Sequence, residues 1–407
     1  MFNKFKRIYS VIAIVVLNLI VMFLIIEAGS AFLMGIAGYL APVKHGGQQQ
    51  FKYDPRENLS YYKSQEWGLE YWKEQIPYLT VRQPYVEQRC KPRQGNLINV
   101  DDRGIRFTPD CTDNKSSEKS LTIFCFGGST MFGIGAPDWG TIPAYIAEIT
   151  NAKYEDVSIK VVNCGQGYWI SSQSVIQLIE EIKRDNVPDI AVFYDGINDV
   201  GCGTVYLEAN IPMASIGDTP YGQSYDPFNN LIRLGTYLNS VRVAQLGLQV
   251  IHGYMQPGSS QTPASAGPDV QKIAEDIHAK YVHNIDIVEA LSKQHGFDYC
   301  FFWQPTMMVG PKPLSPEEEQ IKQSIIQNYY YSTPLDQVKE SAYRLMKEEA
   351  ANRSDMYYIA DVFENTRTTV YNDGGHLTPV GNKVVAEKIA DIIAPYIQKR
   401  LTIANGH

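Results

Sequence analysis

Asp373 and His376 stand three residues apart in the stretch Asn372-Asp373-Gly374-Gly375-His376-Leu377-Thr378-Pro379. In one short turn that spacing can bring a carboxylate against an imidazole. The carboxylate then fixes the tautomer and stabilises the charged form, which is what a general base requires. A purely structural Asp–His pair fits the same spacing. Far upstream, Gly127-Gly128-Ser129-Thr130 offers a nucleophile for such a base. The glycines permit a sharp turn, and Ser129 stands at a helix entrance, where exposed N–H groups favour developing negative charge. Two further segments carry donors for an anionic oxygen. In Asn163-Cys164-Gly165-Gln166-Gly167, Gly165 can offer its N–H at close range because no side chain intervenes. In Asp195-Gly196-Ile197-Asn198-Asp199, the Asn198 carboxamide can donate without carrying charge. Each segment alone also reads as turn chemistry, since Gly, Ser and Asn are turn residues.

The elements around these segments give them a common place. Residues 121–126 are a continuous apolar run ending in two glycines, the pattern of a buried parallel strand and a tight turn. Further strands are expected at 157–162, 190–194, 299–303 and 356–359, and helices at 142–149, 175–182 and 384–397. Strands alternating with helices imply an α/β domain, a parallel sheet with helices on both faces. In such sheets ligands bind beyond the carboxyl ends of the strands, where the four segments are expected to fall. An insertion at about 203–296 breaks the rhythm. Its helices at 231–252 and 270–291, joined by a polar loop at 256–268, fit a lid or cleft wall and fit equally an insertion that packs on the scaffold.

The N-terminus has a different character. Lys4, Lys6 and Arg7 precede residues 8–26, which carry no charged side chain, and the apolar stretch resumes after Glu27. That length suffices to span a bilayer, so we expect a cytoplasmic tail at 1–7 and a transmembrane signal anchor at 8–40. Basic residues ahead of the span place everything after it outside the cytoplasm, periplasmic or extracellular. A cleaved signal peptide is the alternative, with Gly29-Ser30-Ala31 as its processing site. Residues 41–118, rich in Tyr, Gln, Arg and Asn, read as a stalk and irregular cap before a domain at 119–400. A formal net charge of -8 without a long basic run argues against a nucleic-acid partner. Cys90 and Cys111 lie in a polar stretch suited to a disulfide in an oxidising compartment, and Cys164 and Cys202, which both follow strand ends, form a second candidate pair. No His-Glu-x-x-His or paired Cys-x-x-Cys occurs, so neither a metal nor another cofactor is expected.

Taken in order, the four segments resemble the blocks of the SGNH, or GDSL-type, serine hydrolase family over roughly residues 119–400. The resemblance implies a flavodoxin-like, three-layer α/β/α fold and an enzyme that hydrolyses or transfers esters. It casts Ser129 as nucleophile, His376 as general base and Asp373 as the group that orients it. The Ser129 N–H, the Gly165 N–H and the Asn198 amide would form the oxyanion hole. One departure is visible: Gly128 replaces the aspartate that usually precedes the serine. Membrane-attached proteins resembling this one with a Gly-Gly-Ser-Thr block suggest ester groups, O-acetyl above all, on carbohydrates or envelope polysaccharide. Tyr168 and Trp169, beside Tyr194 and Tyr206 near the blocks, are the expected sugar-stacking residues. A lipid esterase or thioesterase, an O-acyltransferase and a non-catalytic carbohydrate-binding scaffold are the alternatives.

Overall fold

The computed structural model describes residues 13–19, 21–22, 54–75, 80–112, 119–206, 209–210, 212, 269–328 and 333–404. The chain divides into two units, Met1–Gln49 with Gly217–Gly267, and Gln50–Ile216 with Pro268–His407. In the first unit, residues 13–19 and 21–22 are helical, with Ile14, Leu17 and Met22 exposed. Among the described residues no helix is long and apolar enough to cross a membrane. The rest of the expected span at 8–40, and the helix and loop expected at 231–252 and 256–268, lie outside the described residues.

The second unit begins with a 3-10 turn (Pro55–Asn58), α1 (Ser60–Lys63), α2 (Gly68–Gln75) and an antiparallel hairpin of β1 (Thr80–Gln83) and β2 (Glu87–Cys90). There follow β3 (Ser120–Gly127), α3 (Ser129–Phe132), α4 (Ile142–Lys153), β4 (Ser158–Asn163), α5 (Ser171–Ile182), β5 (Ile190–Asp195) and α6 (Ile197–Tyr206). After the insertion come α7 (Val270–His295), β6 (Asp298–Trp303), α8 (Pro316–Asn328), α9 (Thr333–Asn352), β7 (Met356–Tyr358) and α10 (Pro379–Ala404). Five strands pair in parallel in the order β4-β3-β5-β6-β7. Counted within the sheet this is 2-1-3-4-5, the flavodoxin-like order.

Strand periodicity explains why the apolar runs are continuous. Ile123 and Cys125 of β3, Val192 of β5 and Phe302 of β6 face a layer with Ile142, Ile146, Val385 and Ile389 from α4 and α10. Their neighbours Phe124, Phe126, Phe193 and Phe301 face the opposite layer, with Leu178, Ile277, Val338 and Met346 from α5, α7 and α9. Both faces are covered, so the middle of each central strand, such as residues 123–126 and 190–194, is apolar on both sides. Phe126, Phe193 and Phe301 sit side by side on adjacent strands and stack at 4.9 and 4.3 Å between ring centroids. The second half of the insertion is thus the crossover helix between β5 and β6, capped by Asp269 at its start and by Gly296, at φ +77, at its end.

Residues 54–112 are not a stalk. Tyr62, Tyr71, Trp72 and Ile98 form a closed apolar cluster, with the Tyr62 and Tyr71 rings edge-on to Trp72 at 5.0 and 5.1 Å. Arg106 is fully buried and donates to Phe132 O, Gly133 O, Ala136 O and Asp138 Oδ1 at 2.6 to 2.9 Å. The expected disulfides are absent, since all six cysteines are free. Cys90 packs with Val100 and Phe132, whereas Cys111 lies against the α4/α10 layer. Polar composition suggests an irregular cap, but key polar groups such as Arg106 and Tyr62 turn inward and are paired.

Candidate active site

Ser129 stands where β3 leaves the sheet. A Cβ on Gly127 would lie 2.3 Å from Tyr194 O, so only glycine lets the chain pass β5 and turn. The turn becomes α3, which begins at Ser129 and stops at Gly133, φ +92. The N–H of Ser129, at the first helical position, has no acceptor within the helix. The carbonyls at the other end of α3 are taken by the Arg106 guanidinium.

The loop before α10 is built to present two side chains. Asn372 N–H donates to His376 O at 2.9 Å, closing residues 372–376 into a turn. Gly374 O accepts from Thr306 Oγ1 at 2.7 Å and from Met307 N–H at 3.0 Å. Ahead of the turn, the buried Glu318 carboxylate accepts the N–H groups of Val370 and Tyr371 at 2.9 and 3.1 Å and is neutralised by Lys312 Nζ. Tyr62 joins this loop to the nucleophile's: its hydroxyl donates to Gly135 O at 2.7 Å and accepts from Asn372 Nδ2 at 2.9 Å.

These supports bring Ser129, His376 and Asp373 into one line, across 247 residues of sequence. Ser129 Oγ is 2.7 Å from His376 Nε2, and His376 Nδ1 is 2.7 Å from Asp373 Oδ2. An ionised carboxylate only accepts, so the neutral imidazole carries its proton on Nδ1 and leaves Nε2 to accept from the serine hydroxyl. Asp373 Oδ1 accepts the N–H groups of Gly375 and His376 at 2.9 and 2.8 Å. Arg56 adds a fourth donor, Nη1 to Oδ2 at 2.7 Å, and is itself held by Asp54 through Nε and Nη2 at 2.9 and 2.8 Å. Its guanidinium lies 4.5 Å over the Trp72 ring. Burial alone would raise the Asp373 carboxyl. His376, Arg56 and the Gly375 N–H outweigh it and hold Asp373 well below the usual carboxylate range.

Gly165 and Asn198 flank the same turn. A Cβ on Gly165 would lie 2.3 Å from Phe132 N, and one on Gly128 would lie 2.7 Å from Asn198 Nδ2. Their hydrogens are partly committed: Gly165 N–H donates to Asn163 Oδ1 at 3.0 Å, and Asn198 Nδ2 donates to Trp169 O at 2.7 Å. Asn198 keeps a second amide hydrogen, whereas Gly165 has only one. Asp199 secures the Asn198 turn by accepting from Ser171 N–H at 3.1 Å and from Ser171 Oγ. Nearby, burial first and the Asp199 carboxyl second push Asp195 well above the usual carboxylate range.

The two expected stacking residues part company. Tyr168 is 48 % exposed, but Trp169 is 1 % exposed, its Nε1–H donating to Gln88 O at 2.8 Å and its ring lying under Arg89. Trp169 therefore anchors the β1–β2 hairpin and is no sugar platform. Tyr194 is buried too, and the Tyr206 side chain lies outside the described residues. A cavity of about 840 Å³ opens between β4 and residues 93–111, but none of Ser129, Asp373 and His376 lines it. Arg56, Glu318 and Tyr62 carry no local sequence signal for their part in the site. Asp54-Pro55-Arg56-Glu57 reads only as a capped helical turn with proline at its first position.

No protein-family model and no curated protein matches the chain. Among solved structures it is similar to the acetyl xylan esterase AlAXEase, at 15 % identity over 67 % of this chain and 100 % of that one, TM-score 0.34. A putative lipolytic protein of the G-D-S-L family from Desulfitobacterium hafniense DCB-2 matches at 9 % identity over 67 % and 99 %, TM-score 0.33. A mutant of Axe2, an acetyl-xylooligosaccharide esterase from Geobacillus Stearmophilus, matches at 14 % identity over 68 % and 95 %, TM-score 0.36. At these scores the likeness carries no argument about chemistry.

Proposed function

We propose that the protein is a serine esterase of the SGNH type that removes small acyl groups, O-acetyl above all, from carbohydrate or envelope polysaccharide. The observation that carries the reading is the line Ser129 Oγ–His376 Nε2–Asp373 Oδ2, at 2.7 Å for each step. In the proposed reaction His376 Nε2 takes the hydroxyl proton as Ser129 Oγ attacks the ester carbonyl. The Ser129 N–H and the second Asn198 amide hydrogen receive the negative charge that develops on oxygen. Gly165 joins them only by sharing its N–H with Asn163 Oδ1. The tetrahedral adduct collapses, the C–O bond to the sugar breaks, and His376 returns the proton to the departing alkoxide. Water, deprotonated by His376, then cleaves the acyl-serine; a sugar hydroxyl in its place makes the protein a transferase. Half-buried Ser129 and His376 leave room for a polymer, and exposed Tyr168 is the aromatic face available to it. The apolar segment at 8–40 would hold this domain at the outer face of a membrane.

A fluorophosphonate probe should label the full-length protein and not Ser129→Ala, whose turnover should fall on the order of 10⁶-fold. Rates on acyl esters of graded length should be highest for acetyl. An unlabelled wild-type protein overturns the serine mechanism, and rates that climb with chain length replace the substrate reading with a lipid esterase or thioesterase. A reporter active only outside the cytoplasm, fused after His407, tests the orientation; an inactive fusion refutes it.

A further inference from the structure

Asp373 Oδ2 is shared. His376 Nδ1 and Arg56 Nη1 both reach it at 2.7 Å, one from the turn before α10 and the other from the N-terminal 3-10 segment, 317 residues away. Arg56 is not a surface cation that happens to lie near. Asp54 grips it through two nitrogens, Trp72 backs its plane, and its side chain is 22 % exposed. A guanidinium clamped this way is a fixed charge in a fixed direction.

We propose that Arg56 is a positioning residue of the Ser129–His376–Asp373 site, fixing the Asp373 carboxylate and moving toward acid the pH range in which His376 accepts a proton. The inference rests on the reading of the site as a serine hydrolase. Its physical basis is charge. When His376 takes the serine proton, Asp373 attracts the imidazolium and Arg56, held on the same oxygen, repels it. The other titratable or charged groups facing Arg56 are Asp54, Tyr62 and Tyr71, and burial pushes both phenols up so that they stay neutral. Asp54 is consumed in gripping the guanidinium, so Arg56 opposes Asp373 directly. Without Arg56 the attraction of Asp373 is unopposed, the imidazolium persists to higher pH, and the acid limb of the rate profile moves up.

Full-length wild type, Arg56→Gln and Arg56→Lys are compared by kcat/KM against pH on an acetyl ester, with urea unfolding as the check on folding. Arg56→Gln should raise the acid midpoint by about one pH unit. Arg56→Lys keeps the charge without the planar fork, so its midpoint should stay near wild type while its rate falls several-fold. If Arg56→Gln slows the enzyme equally at all pH values and Arg56→Lys is no better, Arg56 is only a strut and the proposal is overturned. Should Arg56→Gln fail to fold, the equally uncharged Arg56→Met is read in its place, and an acid midpoint at the wild-type value overturns the proposal. NMR titration of the His376 imidazole, assigned with His376→Gln, reads the same shift without substrate. A shift seen there in a protein that no fluorophosphonate labels keeps the Arg56 inference and refutes the hydrolase reading. No NMR shift in a labelled protein does the reverse.

Discussion

Gly128 offers the sharpest probe of the proposed oxyanion hole, because its backbone is in an ordinary extended conformation, φ -80, that alanine adopts without strain. Everything that resists a methyl group there is therefore contact. The added Cβ would lie 2.7 Å from Asn198 Nδ2 and 3.0 Å from Trp169 O. The carbonyl belongs to a loop fixed on the hairpin and to Asp199, so the Asn198 amide is the partner that must give way. Gly128→Ala should thus act as a displaced Asn198, losing one oxyanion donor, which lowers kcat about 10²–10³-fold, or about 2.7–4 kcal/mol, with KM little changed. The assay is a cycle of Gly128→Ala, Asn198→Ala and the double variant. Acting through one amide, the two changes must not add, and the double variant should match Asn198→Ala within about 0.5 kcal/mol. Additive losses, or an unchanged kcat in Gly128→Ala, refute the reasoning. The same contact accounts for the glycine itself, since an aspartate at 128 would meet the Asn198 amide that this chain keeps against Trp169 O.

Asp373 is held below its unfolded value of about 3.9, so its stabilisation is present above that pH and lost as pH falls through the folded value. Urea unfolding of wild type against Asp373→Asn should show an advantage for wild type at pH 7 that shrinks below about pH 4; a constant difference contradicts the linkage. Arg106→Met should destabilise by roughly 3–5 kcal/mol, because it strands the buried Asp138 carboxylate, and an unchanged urea midpoint would show that the ion pair is dispensable. Trp169→Ala should lower stability by roughly 3–5 kcal/mol through core loss. Tyr168→Ala should raise KM on a polymeric substrate more than it lowers kcat, and an unchanged KM removes Tyr168 from substrate binding.

The sheet was legible because both of its faces are covered: runs such as residues 123–126 and 190–194 had to be apolar throughout. Asp373 and His376 were legible because they share one turn, and Ser129 because two glycines announce the turn that exposes it. Trp169 was misread for a physical reason. An aromatic pair after a strand does not reveal which ring turns inward, and here the backbone at Tyr168, with φ +68, throws the first ring out and the second in. Helix α9 was passed over although Val338, Ala342 and Met346 recur at helical spacing, because the polar residues between them mask the stripe.

Residues 54–112 show why polar composition is a poor guide to looseness. A segment that folds onto a finished surface needs little apolar content if its charged and polar groups find partners there. That is what these residues do: Arg106 caps α3, Gln173 Nε2–H donates to Val86 O, and Tyr62 ties the Ser129 loop to the His376 loop. None of these partnerships has a sequence period, and Arg56 and Tyr62 each reach a partner in the His376 loop more than three hundred residues away. The sheet alone brings Ser129 to the end of β3 and His376 to the head of α10. What holds the two loops in register, and sets the charge behind Asp373, comes from the segment ahead of the sheet.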